Sequence, residues 1–209
     1  QEILEPETWT SVGVREFARA AGLPLDGVLG VEALRPFRVT IDYPRRHLHL
    51  ERSSSPTEGQ PGGDAVLTLR DGRLLVETRL SEDLHRVMLL DTASAVTLIS
   101  RQDVGRTRPD PAGPALIADG ASHVLPMPRR LLPSLWIGAT RLTDLHVVPY
   151  DFTRLREAGL AGSSPAVSGI IGADALAGHV VVLDASAGLL RLLPGDTPEA
   201  APTGSPGAE

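Results

Sequence analysis

A gap-free internal repeat constrains the fold of this chain more than any other feature of its sequence. Residues 27–50, GVLGVEALRPFRVTIDYPRRHLHL, align with residues 169–192, GIIGADALAGHVVVLDASAGLLRL. Each copy runs through glycine, two aliphatic residues, glycine, a short amphipathic turn, a β-rich strand, an aspartate, a turn and a final strand. One unit is therefore used twice, which predicts a tandem-repeat, two-lobed architecture.

The composition between and after the copies predicts where the units end. Residues 51–64 are rich in Ser, Pro and Gly without periodicity, which is typical of a linker. Residues 65–193 then form a complete unit, and residues 1–50 form the C-terminal part of a first one. Residues 194–209 have the composition of a disordered tail.

Alternating apolar residues, with Gly and Pro at the turns, predict a mostly all-β fold with short helices. A closed barrel would leave few unpaired sheet edges. Helical periodicity is confined to residues 11–22, 152–159 and the short pieces that follow each Gly-aliphatic-aliphatic-Gly run. The predicted strands cover residues 64–70, 73–80, 85–91, 97–100, 114–118, 122–126, 133–138 and 141–149.

The composition argues against several classes of function. The net charge of −6 is spread along the chain, so no nucleic-acid or membrane surface is expected, and no apolar run is long enough for a membrane span. Cysteine is absent, and His47 and His49 lie in an alternating strand pattern without further ligands nearby. We therefore expect no metal and no cofactor. A secreted or periplasmic location is slightly favoured over a cytoplasmic one, although no signal peptide is recognisable at residue 1.

The segment LLDTASAVTLIS, residues 89–100, places one aspartate between two apolar strands. Together with SGIIGADAL, residues 168–176, it resembles the retropepsin-like and pepsin-like aspartic proteases. The resemblance implies a closed acid-protease β-barrel. It also implies that Asp91 is catalytic and that Thr92 braces the active-site loop formed with Ala93 and Ser94.

The same resemblance implies roles for two further segments. Ile170, Ile171 and Gly172 match the strand that runs beneath the active-site loop. Residues 115–125, with Asp119 and Gly120 at the tip, lie where the family has a flap hairpin over the substrate, although an Asp-Gly turn is common to many hairpins.

The implied function is that of an aspartic endopeptidase acting on a peptide or protein substrate. Two carboxylates that meet cannot both ionise, so they share a proton and activate a water molecule between them. The alternatives are a catalytically inactive peptide-binding or structural barrel of the same fold and an unrelated ligand-binding barrel. Taken alone, LLDTASAVTLIS is more typical of an ordinary strand, an Asp-initiated turn and a second strand than of a catalytic loop.

The chain departs from the family pattern in two places. Ala93 stands where the family has glycine, which costs about 1 kcal/mol if the residue needs a positive φ and little otherwise. The Asp-Thr motif also occurs once only in this setting, since Asp42 and Asp184 are better interpreted as turn residues.

The second catalytic aspartate must then come from elsewhere. Asp26, before the first glycine run, is a weak candidate because its counterpart in the other copy is Ser168. The copies are 142 positions apart, which puts the counterpart of Asp91 about fifty residues before Gln1. An upstream lobe or a second copy of the chain is therefore expected to supply it, and the tandem repeat favours the upstream lobe.

Overall fold

The computed structural model describes residues 18, 24–53, 65–118, 124–153 and 166–195. Strands dominate these ranges, and the helices among them are short. The helical elements are α1 (Val31–Leu34), a 3-10 helix (Arg101–Arg106) and α2 (Ala173–Leu176). The strands are β1 (Phe37–Asp42), β2 (His47–Arg52), β3 (Ala65–Arg70), β4 (Arg73–Ser81), β5 (Leu84–Leu90), β6 (Thr97–Ser100), β7 (Arg108–Pro109), β8 (Ala115–Ala118), β9 (Val124–Met127), β10 (Arg130–Ile137), β11 (Thr140–Tyr150), β12 (Val167–Ile171), β13 (His179–Asp184) and β14 (Leu189–Pro194).

Six strands close into a mixed barrel in the order β4-β5-β12-β6-β11-β10. The closure depends on a short antiparallel contact between β10 and β4, at Trp136 opposite Arg79 and Ile137 opposite Thr78. β12 runs parallel to β5, and β6 runs parallel to β11, while the other neighbours are antiparallel. Leu132, Leu135 and Ile137 of β10 are fully buried in the main core that fills the barrel. The predicted mostly-β, closed-barrel fold is confirmed.

The two copies of the repeat meet in one antiparallel pairing at the side of this barrel. β1 of the first copy pairs with β13 of the second, with Arg38 opposite Asp184 and Asp42 opposite Val180. In the repeat, Arg38 corresponds to Val180 and Asp42 corresponds to Asp184. Exchanging the two copies therefore turns one pair into the other, so the register has twofold symmetry about the pair of Thr40 and Val182. An isologous contact of this kind normally joins two subunits, and here it joins two parts of one chain.

Backbone bonds beyond the strands repeat the same symmetry. The amide of Ser53 donates to the carbonyl of Pro36 over 2.9 Å, and the amide of Gly195 donates to the carbonyl of Gly178 over 3.0 Å. Both residues of the second bond are the counterparts of those in the first. The sequence repeat is therefore also a repeat of backbone structure.

The strand predictions are confirmed with small shifts at the ends, except at β10. That strand was expected to begin at residue 133, but it begins at Arg130 and contains Pro133. Pro133 lacks an amide hydrogen and is exposed, and the pairing with β11 passes over it, from Leu132 opposite Leu145 to Ser134 opposite Thr143. The residue that faces this gap, Asp144, has a positive φ of 50°. The expected start at proline was wrong because an irregular pair accommodates the ring within the strand.

Several predictions fall outside the described residues. These are most of the helix at 11–22, most of the helix at 152–159, most of the linker at 51–64 and the tail beyond residue 195. Within the described ranges, no helix has both the length and the apolar character that a membrane crossing requires.

Candidate active site

Asp91 is the first residue after β5, at the point where the chain leaves the barrel wall. β5 and β12 run parallel, with Leu90 beside Ile171, and the pairing ends with the Asp91 amide donating to the Ile171 carbonyl over 3.1 Å. The aspartate is half-buried, while the next two residues, Thr92 and Ala93, are exposed. The apolar strands thus hold the carboxylate at an open rim of the barrel.

The backbone of the following residues folds back onto the Asp91 carboxylate. The Ala93 amide donates to Oδ1 of Asp91 over 3.0 Å, and the Ser94 amide donates to the Asp91 carbonyl over 3.1 Å. The described non-glycine residues with positive φ are Arg46, Asp71 and Asp144, so Ala93 adopts an ordinary conformation. Alanine at this position therefore carries no left-handed backbone cost, and its amide still faces the carboxylate.

Gly172 lies directly beneath this loop at the end of β12. A Cβ added to Gly172 would lie 2.5 Å from the Val96 carbonyl oxygen and 2.9 Å from the Ser94 carbonyl oxygen. No real side chain tolerates such distances, so only glycine permits the strand and the loop to approach this closely. The Ala173 amide completes the contact by donating to the Ser94 carbonyl over 2.8 Å.

The strand residues predicted to support the loop are brought to it. Ile171 is fully buried and pairs through its backbone with the start of the loop, while Ile170 is half-buried and packs against a smaller apolar cluster. The structure thus assembles Asp91, Thr92, Ala93 and Ser94 above Ile170, Ile171 and Gly172. Their catalytic roles stay predictions.

Two residues that the sequence analysis missed fix the far end of the loop. Asp174 Oδ2 accepts the Thr97 amide over 3.0 Å, and Asp174 Oδ1 accepts the Thr97 hydroxyl over 2.6 Å. The Thr97 oxygen in turn accepts the Gly172 amide over 3.1 Å, and Thr97 is fully buried. Charge-assisted hydrogen bonds of this kind are among the stronger ones. The available signal was the repeat, because Asp174 aligns with another acidic residue, Glu32.

Two strands of the hairpin expected at residues 115–125 are present as a separate two-stranded sheet of β8 and β9. Ala115 pairs with Met127, and Ile117 pairs with Leu125, in antiparallel register. The predicted tip residues, Asp119 and Gly120, lie outside the described residues. The structure therefore supports the hairpin and leaves the role of its tip a prediction.

A buried aspartate secures the chain just before this hairpin. The Asp110 carboxylate accepts the Ala112 amide over 2.8 Å, and its Oδ2 lies 2.6 Å from His146 Nδ1 and 2.7 Å from Arg129 Nε. Burial raises the pKa of Asp110, but the bonds from Ala112 and His146 and the charges of His146 and Arg129 lower the pKa by more. Asp110 is therefore a charged anchor at the base of the hairpin.

The other aspartates considered for catalysis have different surroundings. Asp42 Oδ1 accepts the Arg45 amide and Asp184 Oδ1 accepts the Ala187 amide, both over 2.9 Å. The prediction that they form turns is confirmed. Asp26 is exposed, at a bend directly before the first glycine run. Among the residues that the structure describes, no three His, Asp or Glu side chains converge on a point that could hold a metal ion.

Solved structures with a similar fold include two aspartic proteases. A retropepsin-like aspartic protease from Rickettsia conorii is 14% identical, with 62% of this chain and 90% of that chain covered at a TM-score of 0.40. An aspartic proteinase from Irpex lacteus is 14% identical, with 74% of this chain and 54% of that chain covered at a TM-score of 0.39. This chain thus spans about half the length of the Irpex protein.

Sequence comparisons add no relatives. No family model matches the chain, and no curated protein sequence matches it. At these identities the likeness to solved structures concerns the fold, and activity does not follow from it.

Proposed function

We propose that this chain is part of an aspartic endopeptidase, in which Asp91 supplies one of the two carboxylates that activate a water molecule. The second carboxylate comes from an upstream lobe or from a second chain. The substrate is a peptide or protein segment in extended conformation.

The observation that supports this proposal most strongly is the construction of the loop at Asp91. The inner side of the loop is locked by Gly172, by the Ala173 amide and by the Thr97 bonds to Asp174. Its outer side, at Thr92 and Ala93, is exposed. A rigid carboxylate with one open side is suited to catalysis, because little reorganisation is needed when the substrate binds.

The expected chemistry follows from two carboxylates that share one proton. The ionised carboxylate removes a proton from the water molecule as it attacks the peptide carbonyl, and the protonated carboxylate donates a hydrogen bond to the carbonyl oxygen. The roles reverse when the tetrahedral intermediate collapses and the leaving amine takes up a proton. Because the pair titrates jointly, activity is expected at acidic to near-neutral pH.

The hairpin of β8 and β9 gives the substrate a place to bind. An extended peptide can form strand-like backbone hydrogen bonds beneath such a hairpin, while side-chain pockets set the specificity. The exposed hydroxyl of Thr92 is suited to contact the loop that carries the second carboxylate.

One alternative function has an observation in its favour. The sequence holds a single Asp-Thr motif between apolar strands, so the chain without a partner has no second carboxylate in the required setting. An inactive barrel of the same fold, which binds peptides or serves a structural role, would need only one such loop.

The test is peptidase activity of the polypeptide encoded by the complete reading frame, measured on a mixture of short peptides by mass spectrometry. Asp91→Asn should lower the rate of cleavage by at least about a hundredfold, because the asparagine amide cannot accept the proton from water. The fold should survive, since Asn retains the oxygen that accepts the Ala93 amide.

Asp71→Asn serves as the matched control. Asp71 lies in the turn between β3 and β4 with a φ of 50°, a conformation that asparagine tolerates well, so this variant should cleave at the parent rate. A parent rate in Asp91→Asn removes Asp91 from the mechanism. Absence of cleavage in the complete polypeptide, with the fold intact, favours the inactive barrel.

A further inference from the structure

Four side chains lie in one row across the outer face of the barrel, where β4 meets β10. Trp136 of β10 pairs with Arg79 of β4 on one side and with Arg141 of β11 on the other, and Arg79 in turn pairs with His85 of β5. Side chains directly opposite each other on neighbouring strands share a face of the sheet. None of the four residues is buried. They therefore form a continuous surface, here called the Arg-Trp row.

The tryptophan ring fixes the positions of the two guanidinium groups. Arg79 Cζ lies 5.6 Å and Arg141 Cζ lies 5.0 Å from the centre of the Trp136 ring. The Nε and Nη2 atoms of Arg141 also donate to Ser134 Oγ, over 3.0 and 2.7 Å. Because both side chains are already held in place, a ligand that binds them causes little further loss of side-chain entropy.

The positive charge of the row has no carboxylate partner within the described part of the chain. Neither Arg79 nor Arg141 forms an ion pair with a described Asp or Glu side chain. By contrast, Arg86, Arg108 and Arg129 each lie 2.7 Å from an aspartate oxygen. The net charge of the whole chain is −6, so the row differs in sign from the molecule that carries it.

We propose that the Arg-Trp row binds an acidic segment of another protein through the Asp and Glu side chains of that segment. A guanidinium group presents a planar fork of N–H donors that matches the two oxygens of a carboxylate. The strands that carry Arg79 and Arg141 are two strand spacings apart, which is about 10 Å. Residues two or three positions apart on an extended peptide are separated by about 7 to 10 Å. One extended peptide can therefore engage both arginines.

The row is separate from the candidate active site. His85 lies near the start of β5, whereas Asp91 follows the end of that strand. Six residues of extended chain correspond to about 20 Å. The acidic segment would therefore bind away from the carboxylate of Asp91, and this inference does not rest on the proposed function.

A single-stranded nucleic acid fits the row less well than an acidic peptide does. Such a ligand is held by stacking its bases on exposed aromatic rings, but the ring of Trp136 already has two guanidinium groups packed on it. A long polyanion would also extend beyond the row onto a chain of net negative charge, which repels it. A short acidic peptide avoids both disadvantages.

The test measures binding of a dye-labelled octaglutamate peptide to the 209-residue chain by fluorescence anisotropy, with octaglutamine as the uncharged control. Octaglutamate should bind at least about tenfold more tightly than octaglutamine at low salt, and added salt should weaken its binding because exposed charges are screened. Arg79→Gln should weaken octaglutamate binding by about fivefold or more.

Arg101→Gln is the matched control for the loss of one positive charge. Arg101 is exposed and follows Ser100, which lies opposite Tyr150 at the far end of β11 from Arg141. Because this end of β11 is about 30 Å from the row, the variant should change octaglutamate binding by less than about twofold.

Thr143→Glu tests the row without removing any of its side chains. Thr143 is exposed on β11, two residues after Arg141. A glutamate there offers the arginines a carboxylate from the chain itself and should weaken octaglutamate binding by about fivefold or more, whereas Thr143→Gln should bind as the parent does. This pair decides the question if a lowered melting temperature shows that Arg79→Gln loosens the contact between β4 and β10.

Three results would overturn the inference. The first is equal affinity for octaglutamate and octaglutamine. The second is octaglutamate binding that is unchanged in Thr143→Glu, because the binding site then lies elsewhere. The third is an oligothymidylate that binds more tightly than octaglutamate and is weakened by the same substitutions, because the row would then bind nucleic acid.

Discussion

Residues 27–50 and 169–192 build the same helix, strand, turn and strand, and they do so in different surroundings. Of the residues in α1 none is buried, whereas Ala175 and Leu176 of α2 are. β1 and β13 each contribute buried residues to the main core, since both lie inside the large sheet. The difference is therefore confined to the glycine run, the helix and the outer strand.

The comparison shows which features form in both copies of the unit and which depend on the parts of the chain that pack against one copy. The first copy keeps its helix, its strands and the turn at Asp42, although no described part of the chain packs on Gly27 or Gly30. Pairing with β13 and packing of Phe37 and Val39 hold this copy against the main core. The glycines of the second copy are needed because other parts of the chain approach them closely. Among the described residues, no atom approaches the glycines of the first copy in this way.

The largest contrast is expected between Leu190→Ala and Leu48→Ala, at equivalent positions of β14 and β2, the last strand of each copy. Leu190 is fully buried, so its truncation removes apolar contacts, leaves a cavity and should destabilise the chain by about 3 kcal/mol. Leu48 is exposed, and its truncation should change stability by less than about 0.5 kcal/mol. Urea unfolding of both variants measures the contrast, and equal losses would contradict it.

A smaller contrast is expected between Gly172→Ala and Gly30→Ala. The methyl group at Gly172 has to displace the backbone of Val96 and Ser94, which should cost about 2 kcal/mol. The methyl group at Gly30 meets nothing within 4 Å. Thermal unfolding should show a lower midpoint for Gly172→Ala only, and an unchanged midpoint there would mean that the loop yields without cost.

Removal of the acidic residue in each helix gives the next contrast. Asp174→Ala leaves the amide and the hydroxyl of the buried Thr97 without their acceptor, at a cost of about 1.5 kcal/mol. Glu32→Ala loses an exposed contact to Arg35 and should be close to neutral. Chemical denaturation distinguishes them, and Asp174→Asn, which keeps one acceptor oxygen, should fall between.

The smallest effect is expected at His179, whose counterpart in the first copy is Phe37. Burial lowers the pKa of His179 from its usual value of 6.5, so the folded chain resists protonation of this side chain. As the pH falls below 6.5, the unfolded chain takes up a proton that the folded chain does not, and stability declines until the pH passes the lowered pKa.

His179→Phe should remove this part of the decline. Unfolding by urea at pH values of about 7, 6 and 5 should show a flatter dependence in the variant than in the parent. If stability depends on pH in the same way in the variant and in the parent, other titrating groups cause the decline. Asp110 contributes in a lower range, because its lowered pKa gives stability above the usual value of 3.8 that is lost as the pH falls through the pKa of the folded state.

Much of the fold could be predicted because it is encoded locally. The repeat aligned β1 with β13 and β2 with β14, and the structure adds the symmetric register. The resemblance of LLDTASAVTLIS and SGIIGADAL to aspartic proteases implied that the end of strand β12 lies beneath the loop at Asp91. The prediction fails at Pro133, where the next strand, β11, accommodates the ring with an irregular pair that the residue pattern does not indicate.

Parts of the candidate site could not be predicted because they join residues far apart in the chain. Asp174 and Thr97 are separated by 77 positions, and Asp110 and His146 by 36. Side chains at such separations meet only when the barrel closes, and no local pattern records the distance between them. The conformation of Ala93 was also undetermined, since alanine is compatible with several turns.

By itself, the sequence determined that one unit occurs twice, that strands dominate, and that a carboxylate follows an apolar strand, since these follow from residue order and periodicity. The tertiary structure decided which copy is covered, how the barrel closes between β4 and β10, and that Ala93 needs no positive φ. The physical reason is that burial and close approach are properties of pairs of surfaces. Two stretches with the same residue pattern therefore differ in stability and in role according to what lies against them.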